Sequence, residues 1–243
     1  MLIFPAIFIK NGRCNSHTNQ NLPWKLAMEY VNMGASCLHI IDIDGARMGN
    51  LVNEESILNI VSKISIPIEV GGGIRSLKDV EHLLDLGASR VIIGTKAVGN
   101  PAFIKDVIAN FGQDKILVSI DTNDGFVVTE GFEKINAVRA IDHAIEMKSY
   151  GVQNICYVDA STKMHTTFSF CEEIDELYNK TNLNIIAKGN ISSVKDLEKL
   201  KDVNAYGAVL EKNEIQRELN IKKAIEIFEK GDSYGLQEDN WLY

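Results

Sequence analysis

The sequence predicts one α/β domain, a (βα)₈ barrel made of two related halves. Short runs rich in Ile, Val and Leu alternate with amphipathic helical stretches along the 243 residues, as parallel strands alternate with their covering helices. The chain also repeats itself, because residues 72–94 align without gaps on residues 189–211. An open, doubly wound sheet is the alternative, but a repeat that runs through strand, loop and helix favours two equivalent half-barrels.

Eight apolar runs supply the predicted strands, because strands buried on both faces of a parallel sheet are nearly continuous hydrophobic segments. The runs are 2–9, 37–43, 66–70, 90–94, 115–121, 153–159, 183–187 and 206–210. Between them, stretches such as 77–84 place apolar residues at helical spacing. The barrel is predicted over residues 1–231, and residues 232–243 are predicted to be a polar tail, either frayed or docked on the barrel.

Composition narrows the class of protein. Apolar residues make up 45% and charged residues 24%, as in a globular protein. A net charge of −8 without a basic cluster argues against a nucleic-acid partner, and no apolar run approaches the ~20 residues that span a membrane. The four cysteines lack metal-ligand spacing, and the N-terminus lacks the basic leader of a signal peptide. We therefore expect reduced thiols, no metal and a cytoplasmic location.

Two glycine-containing segments predict a phosphate site. Gly71, Gly72 and Gly73 follow the third predicted strand, where glycines let the backbone approach a ligand and the next helix begins with a positive dipole. Gly94 and Thr95 follow the fourth strand in the same way. Together the segments would hold one phosphate between strands 3 and 4. Alternatively, the glycines serve only tight turns.

The same segments carry a family resemblance. It rests on residues 38–46, the Gly49/Asn53 pair, 66–76, 90–98, 116–121 and the hairpin 123–133. These resemble phosphoribosylformimino-5-aminoimidazole carboxamide ribotide (ProFAR) isomerase, HisA, whose sister is HisF, the cyclase subunit of imidazole glycerol phosphate synthase. The resemblance implies a TIM barrel of histidine biosynthesis whose substrate carries a phosphate at each end. Chemistry would occur midway, between carboxylates on strands 1 and 5, and we predict no cofactor.

The sequence departs from that family at the predicted site. Phe8 stands where the resemblance implies the catalytic Asp of strand 1, and a second internal alignment, of 6–12 with 119–125, pairs Phe8 with Asp121. A phenyl ring cannot transfer a proton, and one acid–base group contributes roughly 10²–10⁴-fold in rate. At the second phosphate site, Lys188 and Glu211 replace the implied Ser and Gly, and we hypothesise that they pair and close it.

The remaining candidates are single residues. Asp121 is the predicted catalytic residue, with a structural hydrogen-bonding role as the alternative. Arg75 could pin a phosphate or cap its own loop. Further candidate ligand contacts are Asp44, His17, His165 and Lys188.

Three functions stay open at this point. The leading hypothesis is a diverged family member that binds a ribose-phosphate-type molecule at the strand 3/4 phosphate site and has lost the isomerisation. The first alternative is a working ProFAR isomerase. The second is a non-catalytic or regulatory barrel that docks on a protein, such as a glutaminase-like partner.

Overall fold

The computed structural model describes residues 1–14, 21–129, 134–159, 167–189, 191–211 and 219–230. Eleven strands lie in these ranges: β1 Leu2–Lys10, β2 Arg13–Cys14, β3 Leu38–Asp42, β4 Ile68–Gly71, β5 Arg90–Ile93, β6 Ile116–Asn123, β7 Phe126–Thr129, β8 Lys134–Arg139, β9 Asn154–Asp159, β10 Asn184–Lys188 and β11 Gly207–Glu211.

The same ranges contain ten α-helices: α1 Pro23–Asn32, α2 Ile43–Met48, α3 Glu54–Val61, α4 Leu77–Asp85, α5 Thr95–Gly99, α6 Pro101–Phe111, α7 Ala140–Ser149, α8 Thr167–Thr181, α9 Val194–Asp202 and α10 Ile221–Ile225. A short 3₁₀ turn, Gln113–Lys115, precedes β6, and a π-helical turn, Glu226–Lys230, follows α10.

The strands form one sheet in the order β5-β4-β3-β1-β11-β10-β9-β6-β7-β8, with β2 paired to β1. A further pairing of β5 with β6 closes the eight strands from β5 to β6 into a barrel. Neighbouring barrel strands such as β1 and β3, or β6 and β9, pair in parallel. Each of the eight predicted runs overlaps one barrel strand, so the predicted (βα)₈ fold is confirmed.

The chain divides into two compact units. The first is Met1–Val91 together with the chain from Val209 onward, and the second is Ile92–Ala208. Strands β1, β3 and β4 lie within the first unit, and β6 to β10 lie within the second.

Each unit carries its own copy of the internal repeat at a helix start. Ser76 caps α4 by accepting a hydrogen bond from Asp79 N–H, and the Asp79 carboxylate accepts in return from Ser76 N–H. Ser193 and Asp196 make the same reciprocal capping box at α9. These pairs occupy matching places in the aligned segments 72–94 and 189–211, so the repeat extends to hydrogen bonding.

Two tight hairpins repeat as well. Asn11 and Gly12 join β1 to β2 with φ of 52° and 71°. Asp124 and Gly125 join β6 to β7 with φ of 52° and 77°. Asn-Gly and Asp-Gly are preferred in two-residue hairpins because both positions need positive φ.

A charged cluster is buried in the first unit. Glu69 accepts hydrogen bonds from Arg90 Nη2 at 2.6 Å and Nε at 3.1 Å, and its other oxygen lies 2.6 Å from His39 Nδ1. Their side chains are at most 2% exposed. Burial alone would raise the pKa of Glu69, but the Arg90 guanidinium and the His39 imidazole outweigh it and hold that pKa below its ordinary value.

The corresponding places in the second unit are uncharged. Counterparts are taken at the offset that aligns Gly72 with Gly189, and those of His39, Glu69 and Arg90 are Cys156, Ile186 and Gly207. Cys156 and Ile186 are register partners, as are His39 and Glu69. The two halves therefore share backbone pairing but not core chemistry.

The π-helical turn after α10 contacts the start of β1. Glu229 accepts hydrogen bonds from Ile3 N–H at 2.7 Å and from the Ser36 hydroxyl at 3.0 Å. Burial raises the pKa of the Glu229 carboxyl, although both hydrogen bonds oppose that rise.

No helix within the described ranges is both long and apolar enough to cross a membrane. In that same part of the chain, no three His, Cys, Asp or Glu side chains are grouped as metal ligands would be. All four cysteines are buried and unbridged: Cys14, Cys37, Cys156 and Cys171.

Candidate functional site

The glycine segment after β4 lies against the backbone that follows β3. Gly72 and Gly73 have φ of 119° and 81°, which L side chains rarely adopt. A Cβ at Gly72 would collide with the Asp42 carbonyl oxygen, and one at Gly73 would collide with the Asn50 and Gly45 carbonyls. This close approach requires glycine at both positions, whereas phosphate binding by the segment stays a prediction.

Arg75 is exposed, and its guanidinium lies against Gly49, which ends α2 with φ of 79°. A side chain at position 49 would occupy the space of that guanidinium. The backbone N–H groups of Arg75 and Ser76 both donate to the Asp79 carboxylate. The predicted helix N-terminus is therefore already capped by its own acidic residue, and a ligand anion would have to use other donors.

Gly94 and Thr95 lie at the start of α5, where Gly94 is the N-cap and Thr95 is exposed. Among the described residues, a Cβ added at Gly94 would meet only Ser119 Cβ, at 3.9 Å. Within the described residues of the second unit, there is thus open space beside Gly94.

Asp121 and Phe8 occupy equivalent positions in their halves. Asp121 lies near the end of β6, is half-buried, and accepts a hydrogen bond from the Ser119 hydroxyl at 2.8 Å. Phe8 lies near the end of β1 opposite Ile41 of β3 and is half-buried as well. One half therefore presents a carboxylate where the other presents an aromatic ring.

Asp42 ends β3, one residue earlier than predicted, because its side chain caps α2. Its Oδ1 accepts from Gly45 N–H at 2.9 Å and from Asn53 Nδ2 at 2.6 Å. Its Oδ2 accepts from the N–H groups of Val52 at 2.7 Å and Asn53 at 2.9 Å. With four hydrogen bonds and 0% exposure, this carboxylate is structural.

Asp44 is half-buried on α2. Its Oδ2 accepts from Asn53 Nδ2 at 2.9 Å and from Asn11 N–H at 2.6 Å. These two hydrogen bonds, that of Asn53 first, lower the pKa of Asp44 below its ordinary value. At neutral pH this predicted ligand contact is therefore a carboxylate held in one orientation.

Lys188 ends β10 opposite Val158 and is half-buried. Glu211 ends β11 and is also half-buried. The hypothesis that they pair with each other remains a prediction. Within the second unit, a Cβ at Gly189 would meet Asp159 Cβ and the Phe170 ring, each at 3.3 Å.

His17 and His165, the predicted loop histidines, lie outside the described residues, as does Asn190 beside Gly189. Cys14 is buried, and burial raises the pKa of its thiol, which opposes a nucleophilic role.

Asn53 contacts several of these first-unit residues, but the sequence did not predict it as a site residue. The sequence offered one signal, its pairing with Gly49 in the family resemblance. Its contacts with Gly12, Asp42 and Asp44 join segments that are distant in sequence, and composition or periodicity cannot reveal them.

Comparison with known proteins identifies the family. The sequence model described as "Histidine biosynthesis protein" matches residues 2–213. A relative from Lachnoclostridium phytofermentans is 43% identical over 239 residues, which is 95% of this chain and 100% of the relative. A relative from Syntrophomonas wolfei is 39% identical over 85% of this chain and 88% of its own length.

Both relatives are named 1-(5-phosphoribosyl)-5-((5-phosphoribosylamino)methylideneamino) imidazole-4-carboxamide isomerase, the systematic name of ProFAR isomerase. A third with that name, from Oceanobacillus iheyensis, is 38% identical over 87% of this chain and 92% of its own length. The chain therefore belongs to the histidine biosynthesis protein family and, within it, to the ProFAR isomerase (HisA) branch that the sequence resembles.

Proposed function

We propose that the chain is an aldose–ketose isomerase of the ProFAR type that works with one carboxylate, Asp121, in place of two. The observation that carries this proposal is the Asp121 carboxylate, oriented by the Ser119 hydroxyl at 2.8 Å, in a chain whose relatives share the isomerase name over nearly their full length. The leading hypothesis from sequence, loss of the isomerisation, becomes the second candidate.

One carboxyl group can serve both proton transfers of the reaction. In the first step, protonated Asp121 gives its proton to the ring oxygen of the aminosugar while the C1–O bond breaks and the nitrogen lone pair forms C=N. Asp121 is then the carboxylate that removes the C2 proton, and the C=N electrons return to nitrogen. Asp121, protonated again, returns that proton to C1 and takes the proton of the C2 hydroxyl as the enol becomes the ketose. Asp121 ends protonated as it began, so atoms and electrons balance and the reaction is an isomerisation.

The ligand of this proposal is a phosphorylated ribose-type molecule. Gly71, Gly72 and Gly73 would donate backbone N–H groups to one phosphate, with Gly94 and Thr95 as the second set of donors. Arg75 would supply positive charge, since its guanidinium is exposed. The backbone N–H groups of a glycine turn can form a concave anion site, and ligand binding through them does not depend on whether turnover occurs.

The test is an isomerase assay with ProFAR. We expect turnover in the unmodified protein and a loss of about 10²–10⁴-fold in Asp121→Asn, because one acid–base group contributes that much. Phe8→Asp should raise turnover, since it supplies a second carboxylate at the equivalent place. Asp114→Asn, an exposed substitution in the 3₁₀ turn, is the matched control. Unchanged turnover in Asp121→Asn would overturn the assignment of Asp121.

Phe8 favours a second candidate, a barrel that binds the phosphorylated ligand without converting it. This candidate predicts no turnover but a raised thermal midpoint with ProFAR, because a ligand stabilises the folded state by RT ln(1 + [L]/Kd). Absence of both turnover and stabilisation would leave neither candidate standing and would favour a protein-binding role, for instance with a glutaminase-like partner. A cytoplasmic location is proposed with either candidate, on the four unbridged, buried cysteines.

A further inference from the structure

Asn53 stands at the N-cap position of α3 but does not cap it. No side-chain hydrogen bond joins Asn53 to the first turn of that helix. Asn220 shows the usual use of the residue, since its Oδ1 accepts from Lys222 N–H and Lys223 N–H at the start of α10. The amide of Asn53 is therefore committed to contacts elsewhere.

Those contacts join three segments of the first unit. Asn53 Oδ1 accepts from Gly12 N–H at 2.7 Å, and Nδ2 donates to Asp42 Oδ1 at 2.6 Å and Asp44 Oδ2 at 2.9 Å. Asn53 is only 6% exposed. One buried amide thus holds the β1–β2 turn and two carboxylates together, and its Nδ2 is a donor that the two carboxylates share.

Residues 42–53, which the Asn53 side chain holds in place, pack against the glycine turn Gly71–Gly73. The backbone carbonyl of Asp42 faces Gly72, and those of Gly45 and Asn50 face Gly73. The conformation of the glycine turn therefore depends on where residues 42–53 lie, and Asn53 fixes both ends of that segment.

The second unit lacks this arrangement. The counterparts of Asn53, Asp42 and Gly72 are Phe170, Asp159 and Gly189. Gly189 faces the Asp159 side chain and the Phe170 ring, and an aromatic ring at this place cannot donate or accept as an amide does. The hydrogen bonds of the Asn53 side chain with Gly12, Asp42 and Asp44, here called the amide clamp, thus occur in the half that keeps the three-glycine segment.

We propose that Asn53 is a positioning residue of the ligand site, and that Asp44, held by Asn53, binds a hydroxyl of the sugar beside the phosphate. Both hydrogen bonds that Asp44 accepts from described residues fall on Oδ2, so Oδ1 has no partner among those residues and is available to a hydroxyl donor. The inference rests on the proposed function, because it assumes a phosphorylated sugar at Gly71–Gly73. Asn53 acts through Asp44 and the glycine turn, not on the reacting atoms.

Calorimetric titration with ProFAR tests the proposal. We expect Asn53→Ala to weaken binding about tenfold or more, as the loss of a buried hydrogen-bond partner does, with KM raised more than kcat is lowered, because Asp121 is untouched. The matched control is Asn220→Ala, which removes an Asn from a helix N-cap outside the site and should change only the thermal midpoint. A second readout is hydrogen exchange at the Gly12 amide, which should lose protection in Asn53→Ala and keep it in Asn220→Ala.

A nearly isosteric pair covers the case in which Asn53→Ala does not fold. Asn53→Asp places a third carboxylate between Asp42 and Asp44 and should weaken binding. Adding Asp44→Asn exchanges amide and carboxylate between the two positions, restores a donor, and should recover part of the affinity. If unmodified protein binds ProFAR and both single variants at position 53 bind equally well, the inference fails while the proposed function stands. If unmodified protein does not bind at all, the proposed function fails and takes the inference with it.

Discussion

Gly72 holds a backbone conformation, φ of 119°, that a residue with a Cβ adopts only with strain. The Asp42 carbonyl lies where that Cβ would be. The role of glycine here is therefore steric and local: a glycine run after a strand indicates backbone conformations that glycine alone adopts readily, although the sequence predicted a ligand, not the Asp42 carbonyl, as the close neighbour. Asn53 is the opposite case, since what matters is which distant atoms its amide meets, and these become neighbours only in the folded chain.

Gly72→Ala should lower the free energy of unfolding by about 1–3 kcal/mol, the cost of one residue held in a sparsely populated conformation. Gly99→Ala is the control, because a Cβ there meets nothing within 4 Å in the described part of the chain, and it should stay within about 0.5 kcal/mol of the unmodified protein. Chemical denaturation of both variants measures the difference. Equal stabilities would show that the Asp42 carbonyl moves aside readily.

At the scale of elements, strands β3, β4 and β5 carry the cluster His39, Glu69 and Arg90 on one face of the sheet. His39 and Glu69 are register partners, as are Phe8 and Ile41 two residues further along. Side chains alternate between faces with a period of two, so the cluster and Phe8 lie on the same face of the sheet. The apolar runs predicted these strands, but a single charged residue inside each run gives no sign of its partner, because the partner lies on another strand.

Glu69→Gln should destabilise the protein by about 3–5 kcal/mol, since it leaves the Arg90 charge buried without its carboxylate. The loss should be smaller for Glu69→Leu with Arg90→Met than for Glu69→Leu alone, because the double variant removes both charges. In the unmodified protein, the lowered pKa of Glu69 contributes stability above the ordinary carboxyl pKa, and this contribution disappears as pH falls through the folded-state value. Urea denaturation at neutral and acidic pH tests both statements, and a double variant no more stable than the single one would contradict them.

At the scale of the whole molecule, the fold was predictable because two separate features of the sequence indicate it. These are the alternation of strand and helix and the internal repeat. The chemistry was less predictable because the two halves carry different residue types at several aligned positions. The first unit holds buried charges and an amide clamp, whereas their counterparts in the second unit are Cys156, Ile186, Gly207 and Phe170. Sequence alone showed the exchange of Asp121 for Phe8, because the residues align, but it could not show which polar groups meet.

Glu229 links the C-terminal π-helical turn to β1 of the same unit, and its raised pKa gives a pH test. The folded chain holds the Glu229 proton more tightly than the unfolded chain, so this group's contribution to stability is complete at low pH and declines as pH rises through the folded-state pKa. Glu229→Gln can keep both hydrogen bonds, with its carbonyl accepting from Ile3 N–H and its amide donating to Ser36 Oγ. The variant should therefore equal or exceed the unmodified protein at pH 7 and lose that advantage near pH 4.

Thermal melts of both proteins across that range provide the measurement. Glu229→Ala is the control, because it leaves the buried Ile3 N–H without its acceptor and should cost about 1–3 kcal/mol at either pH. A Glu229→Gln variant that is less stable than the unmodified protein at pH 7 would show that the charge itself stabilises the link.

The turns of the two hairpins, Asn11-Gly12 and Asp124-Gly125, differ in the side chain of their first residue, an amide at Asn11 and a carboxylate at Asp124. That difference has a chemical consequence. In an Asn–Gly peptide the following backbone nitrogen can attack the side-chain amide, and the ring that forms opens to an aspartate or an isoaspartate. Gly12 is the nitrogen in question, and its hydrogen bond to Asn53 Oδ1 holds it away from that reaction. We therefore expect Asn11 to resist spontaneous deamidation for as long as the hydrogen bond between Gly12 N–H and Asn53 Oδ1 is intact. The second hairpin has a carboxylate at Asp124 and therefore no amide to lose.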